Sequence, residues 1–253
     1  MSWFLPAEAP RVGRPLWPNW DQPMKIIVTG ASGLVGAEVV RQAMMDNEIH
    51  EITALVRRPL DIPHVPTQGG EKLHVVVHKD FLRYSTAAEL FKAQDACLWC
   101  LGTSQSQVTP EEYHSITYDY TLEAAKAMLK ANPSIAFLFV SGKGADSMET
   151  SKTLFARVKG KTENALLRLP FKKLFIVRPG GIKPIHRNKN AALANKLFIP
   201  LFPILELLMP NLVISSVELA RVLLHIAKHG APKTLLENLD LKRLFQEIAN
   251  TSH

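Results

Sequence analysis

Cysteine is scarce in this chain, with two among 253 residues. A small disulfide scaffold is thereby excluded, and a chain of this length buries roughly 70% of its unfolded surface without needing a crosslink or metal. Also missing is the unbroken apolar run of about 20 residues that a bilayer-spanning helix requires. The most apolar stretch, Leu197 to Ile214, is interrupted by Pro200, Pro203, Glu206 and Pro210. It reads as a helical segment lining a substrate pocket, with no transmembrane crossing; a peripheral membrane contact beside Arg187 and Lys189 is the alternative. The first 23 residues lack the charged start and apolar core of a secretory leader. They hold five prolines together with Trp3, Trp17 and Trp20, and read as an irregular arm, either loosely ordered or a contact for a partner. The protein is expected to be cytoplasmic.

With 47% hydrophobic and 21% charged residues and no low-complexity tract, the composition is that of an ordinary globular chain. The formal net charge is +7, but the excess is local. Residues 152–189 carry eleven Lys/Arg and one acid, Glu163, while the remainder has 19 basic against 22 acidic residues. That is not the profile of a chain built to coat nucleic acid. The basic segment reads as a solvated face, with an anionic substrate or partner as the sharper alternative.

From Met24 onward strand and helix signals alternate. Short apolar runs at Ile26–Val28, Ile52–Val56, Leu73–Val77, Ala96–Leu101, Ile135–Val140 and Leu174–Val177 are separated in several places by amphipathic segments. Leu34–Met45, Tyr113–Ala131 and Thr153–Leu169 have the spacing of crossover helices, and Thr86–Ala93 that of a shorter one. This is the pattern of an α/β fold, a Rossmann-type doubly wound parallel sheet buried on both faces. After Pro179 the alternation stops. The organisation is therefore an arm over 1–23 and a single domain over 24–253, in which 183–253 form a small, mostly helical substrate cap ending in Val217–Lys228 and Leu239–Ala249.

The first strand runs into Gly30-Ala-Ser32-Gly33-Leu34-Val35-Gly36, and a helix follows. Glycines are needed at such a turn because side chains would keep a pyrophosphate from the backbone N–H groups at the helix start, where the helix dipole also favours an anion. Dinucleotide binding by residues 30 and 32–36 is the reading. About 20 residues further on, where an acid would bind the adenosine ribose hydroxyl, the sequence has Arg57 and Arg58. Guanidinium groups make charge-assisted bonds to a phosphate, so these residues point to NADP(H) in preference to NAD(H), with Arg57 the stronger candidate.

With TGASGLVG at 29–36, the Arg57-Arg58 pair, CLGT at 100–103, SGKGAD at 141–146, ARVKG containing Lys159, and RPG at 178–180, the chain resembles the short-chain dehydrogenase/reductase superfamily. The likeness is to its atypical members of the NmrA-like and Tat-interacting-protein (HTATIP2) type. It implies an NAD(P)-binding oxidoreductase in which Asp80 and Phe81 hold the adenine and Leu101, Gly102 and Thr103 lie against the cofactor. Lys159 would bind the nicotinamide ribose, and the backbone at Pro179 and Gly180 would pass the nicotinamide. Such proteins commonly dimerise through their central helices; for this chain both monomer and homodimer stay open.

The resemblance breaks at position 155. Where family members place a tyrosine as general acid four residues before the lysine, this chain has Phe155, which has no proton to give; the loss is worth roughly 10²- to 10⁴-fold. Catalysis is left to Lys159 and to Ser141, which stands where paired hydroxyl residues are common. Three readings follow. The proton comes from Ser141, water, or another phenol among Tyr113, Tyr118 and Tyr120; or the chain binds NADP(H) without turnover and reports redox state to a protein partner; or it reduces an acceptor that needs no phenolic acid. The small-molecule substrate is not encoded in the residues. Cys97 and Cys100 would point to opposite faces of a strand, and His74 and His78 lack a third ligand, so no metal site is expected.

Overall fold

The computed structural model describes residues 23–59, 69–186 and 210–251. The arm with Trp3, Trp17 and Trp20, and the stretch containing Arg187, Lys189 and most of 197–214, lie outside the described residues.

β1 (Met24–Thr29), β2 (Ile49–Val56), β3 (Leu73–Val77), β4 (Ala96–Trp99), β5 (Ala136–Val140) and β6 (Lys173–Arg178) match the six strands expected from the sequence. With β9 (Leu235–Glu237) they form one sheet in the order β3-β2-β1-β4-β5-β6-β9, every pair parallel. The strand order reverses direction at β1, between β2 and β4, which opens a crevice at the carboxyl ends of β1 and β4 where such sheets bind ligands. The central strands are apolar throughout because helices cover both faces. On one face α1 (Leu34–Met45), α6 (Ser216–His229) and α7 (Asn238–Thr251) pack over Ile26, Val28, Ala54, Leu98 and Leu138. On the other, α2 (Ala88–Lys92), α4 (Tyr120–Ala131) and α5 (Leu154–Leu167) cover Ile27, Leu55, Trp99, Phe137 and Phe139. Cys97 lies in the second cluster and Cys100 packs against the first, so the two thiols do face opposite sides of the sheet.

The long helix expected over Tyr113–Ala131 begins earlier and is not uniform. α3 (Pro110–His114) starts at Thr109, whose hydroxyl accepts from the Glu112 N–H while the Glu112 carboxylate accepts from the Thr109 N–H, a reciprocal cap. A widened π turn over Ser115–Asp119 then joins α3 to α4. Such a turn shifts carbonyls out of the regular ladder, and the Thr117 carbonyl accepts instead from the hydroxyls of Thr121 at 2.7 Å and Thr162 at 3.4 Å. The second of these ties the π turn to α5.

After Pro179 the two helices expected at Val217–Lys228 and Leu239–Ala249 are present as α6 and α7, accompanied by short strands the sequence did not announce. β7 (Gly181–Lys183) and β8 (Val213–Ser215) form a small parallel pair, and β9 joins the main sheet beside β6. α6 is started by a Ser215–Glu218 reciprocal cap and packs along α1, where Gln42 Nε2 donates to the Val217 carbonyl at 3.0 Å and Lys228 pairs with Asp46 at 2.8 Å. The described part of 183–253 thus completes the domain core. Its apolar residues Leu219, Leu223, Ile226 and Leu236 are fully buried; β9 escaped notice because three residues carry no readable periodicity.

Candidate functional site

The turn between β1 and α1 is set by two glycines. Gly30 has φ +66°, and a Cβ there would lie 2.5 Å from the Cys100 carbonyl oxygen; L-residues avoid both. Gly36 sits over the Gly30 carbonyl so closely that a Cβ would collide with it. Gly33 N–H closes the turn on the Gly30 carbonyl at 2.8 Å. Ser32 and Gly33 are exposed, Leu34 is half-buried, and Val35 and Gly36 are buried, so Val35 and Gly36 offer a ligand only backbone. This is a cradle that side chains would fill, at the amino end of α1, and it fits a dinucleotide pyrophosphate.

The neighbouring loops close around it. Leu101 N–H donates to the Thr29 hydroxyl at 3.2 Å, which lays residues 101–103 beside the glycine turn. Gly102 is exposed with open space around it, and Leu101 and Thr103 are half-buried. Arg57 and Arg58 follow the carboxyl end of β2; both are exposed and neither makes an ion pair among the described residues. Asp80 is exposed and accepts from the Leu82 N–H at 3.0 Å. Phe81 is different. Its side chain is 1% exposed and packs among His78, Tyr84, Trp99 and Tyr120, so it belongs to the core and leaves Asp80 as the exposed side chain of the pair. The same aromatic cluster buries His78, while His74 on the same strand is exposed.

At the other end of the crevice, α5 presses on the loop after β5. Gly160 allows this, because a Cβ there would run into the Asp146 backbone, and Asp146 N–H donates to the Ala156 carbonyl at 2.9 Å. The Asp146 carboxylate gathers the N–H groups of Met148, Thr150 and Ser151 at 2.7–2.9 Å, which holds it below the usual carboxylate range and carries Glu149 at φ +60°.

Lys159 is 8% exposed, donates to the Val140 carbonyl at 3.0 Å and sits 4.8 Å from the centre of the Phe139 ring. Burial pulls its pKa down to about 8, against a smaller opposing pull from Glu163. One helical turn on, Glu163 is 1% exposed and is the hub that the sequence reading missed. It accepts from the Ser141 hydroxyl in a short bond and from Arg178 Nε at 3.0 Å, while Arg178 Nη1 reaches Glu237 at 2.9 Å and Nη2 reaches Ser147 at 3.0 Å. The signal was present: Glu163 is the single acid of the basic segment, four residues after Lys159 and therefore on the same helix face. The Ser141 proton is committed to this carboxylate, and Arg178 is held by two carboxylates, Glu163 and Glu237.

Phe155 is half-buried, its ring against Gly142 and its N–H bonded to Gln105 Oε1 at 2.9 Å. The alternative phenols do not replace it in kind. Tyr118 lies under Lys161 at 4.5 Å, Tyr120 packs on Phe81, and Tyr113 is 1% exposed. Pro179 is buried, its carbonyl taking the Lys143 N–H at 2.8 Å, and the Gly180 N–H donates to Asn238 Oδ1 at 2.8 Å. The structure thus brings together residues 30–36, 101–103, 141, 159 and 179–180 along one edge of the sheet.

Unfolded lysine titrates near 10.5 and Lys159 near 8, so between those values the unfolded chain holds more protons and stability rises with pH. Lys159→Met removes this rise. Relative to the parent, the variant gains about 1–3 kcal/mol at pH 7 and loses that advantage by pH 10, as read from urea midpoints. A difference independent of pH contradicts the buried cation.

The comparisons agree with this geometry. A family model described as NAD(P)H-binding matches residues 30–196. The mitochondrial protein FMP52 of Debaryomyces hansenii is 30% identical over 177 residues, 69% of this chain and 74% of that protein. The leucinostatins biosynthesis cluster protein T of Purpureocillium lilacinum is 34% identical over 63% of this chain and 58% of that protein. Rat HTATIP2 is 28% identical over 63% of each. Among solved structures, the PhqB reductase domain of Penicillium fellutanum has a TM-score of 0.65 at 16% identity, covering 91% of this chain and 72% of that one. The Bordetella bronchiseptica enzyme WbmF, solved with NAD+, has 0.61 at 13%, covering 91% and 80%. These two likenesses concern the fold. No helix among the described residues is long and apolar enough to cross a membrane. The chain belongs to the NAD(P)H-binding family of Rossmann-fold proteins and, within it, to the atypical short-chain dehydrogenase/reductases related to HTATIP2 and FMP52.

Proposed function

We propose that this protein is an NADP(H)-dependent oxidoreductase acting on a small molecule held in the crevice at the carboxyl ends of β4, β5 and β6. The observation that carries the cofactor choice is the pair Arg57 and Arg58, exposed beyond β2 with no carboxylate partner among the described residues, where NAD-selective sites present an acid. In this reading residues 30 and 32–36 take the pyrophosphate on backbone N–H groups, Arg57 takes the ribose 2′-phosphate with Arg58 beside it, and Asp80 and the 101–103 loop flank the adenosine. The buried Lys159 ammonium takes the nicotinamide ribose hydroxyls, adding acceptors to the Val140 carbonyl that it already bonds. Pro179 and Gly180 line the nicotinamide. The bound nicotinamide would supply the redox chemistry; the protein supplies orientation.

Ser141 donates to Glu163, so toward a ligand it offers lone pairs and positions a donor; the proton for a reduced product comes from solvent. A second reading is favoured by Phe155: the chain binds NADP(H) without turnover and signals cofactor state to a protein partner. Monomer and homodimer both accommodate either reading. A cytoplasmic location belongs to the proposal, and subcellular fractionation decides it against the mitochondrial location named for the FMP52 relatives.

Fluorescence titration should give tighter binding of NADPH than of NADH. Arg57→Ala should weaken NADPH about 10- to 100-fold and leave NADH within about twofold; equal affinity of the parent for both cofactors removes the argument.

Phe155→Tyr separates the two readings. If the parent oxidises NADPH with carbonyl compounds and the variant does so faster, the oxidoreductase reading stands. If activity emerges only in the variant, the signalling reading stands.

A further inference from the structure

We propose that Gln105 is a positioning residue for the cofactor: its side chain pins the loop that covers the cofactor to the first turn of α5. The proposal rests on the NADP(H) reading above. Residues 101–109 leave β4 beside the glycine turn and end in the cap of α3. The loop is fixed at its start by the Leu101 N–H on the Thr29 hydroxyl, and at its end by the Thr109–Glu112 cap. Between those points its own bonds are internal, Gln107 N–H to the Ser104 carbonyl and Ser104 to Ser106. The one hydrogen bond among the described residues that ties 102–108 to the rest of the fold is the Phe155 N–H on Gln105 Oε1, 2.9 Å long and spanning 50 residues.

The far end of that bond has its own need for it. A helix begins with N–H groups that lack intrahelical partners, and Thr153, at the cap position of α5, makes no side-chain cap bond. Gln105 supplies the acceptor from another part of the chain. One amide thus satisfies a helix start and holds the loop. The residue whose N–H it takes is the one that stands in the tyrosine position, so the loop, α5 and the Lys159 on it are held in register across the crevice.

Without the bond, residues 102–108 lose their external anchor, and ordering them falls on cofactor binding. The loss should therefore show as affinity. The acceptor is the part that matters, so a carboxylate at 105 should serve as well, helped by the positive end of the α5 dipole.

The test compares the full-length parent with Gln105→Ala and Gln105→Glu, reading NADPH affinity by fluorescence and amide hydrogen exchange without cofactor. Gln105→Ala should weaken NADPH about three- to tenfold, speed exchange at Phe155 and over 102–108, and leave the melting temperature within about 2 °C. Gln105→Glu should restore both readouts to within about twofold of the parent. A parent that binds no NADPH overturns the NADP(H) reading and this inference with it. A parent that binds NADPH, with Gln105→Ala unchanged or with Gln105→Glu falling equally, overturns the positioning role alone.

Discussion

The backbone contact between Gly30 and Cys100 is the constraint on which the rest of the site depends. A strand-to-helix turn that must leave room for an anion cannot also hold side chains, and here the turn after β1 lies directly against the carbonyl at the end of β4. Three things follow. α1 starts with its N–H groups turned toward the crevice, the 101–103 loop is laid alongside by Leu101 on Thr29, and β1 and β4 stay in register at the point where the strand order reverses. The cofactor cradle and the switch point of the sheet are thus one feature of the packing.

A second constraint holds the opposite wall. Gly160 lets α5 lie on the Asp146 backbone, and the buried Glu163 carboxylate draws in Ser141 and Arg178. Removing one partner of a buried pair costs more than the pair itself contributes, because the remaining charge is left unsolvated. The network therefore specifies geometry. It links β5, α5, β6 and, through Glu237, the seventh strand. Phe155, half-buried and without a proton to give, stands one helical turn before the buried Lys159. The local basic excess that the sequence displays is accordingly not all solvated surface: Arg178 is neutralised by two carboxylates and Lys159 is buried.

Much of this was legible in the sequence. Strands buried on both faces are apolar runs, and the six that read as runs are six of the seven in the sheet. The glycine turn was legible because glycine is the residue such a close approach demands. Features made by tertiary contact were harder. β9 is three residues long; Phe81 looks like a ligand-side aromatic until its ring is seen among Tyr84, Trp99 and Tyr120. Glu163 could have been found from its spacing to Lys159, since four residues along a helix return to the same face. Gln105 could not, since nothing local marks a side chain that will cap a helix 50 residues away.

The central claim is that the glycine turn and the arginines after β2 hold one dinucleotide. Its most direct test is a nuclear magnetic resonance titration of the isotopically labelled protein with NADP+, following backbone amides. The account predicts large, saturable shifts at Ser32, Gly33, Leu34, Val35 and Gly36 together with Arg57 and Arg58, all with the same dissociation constant. Saturable shifts elsewhere that leave these seven amides in place would contradict it.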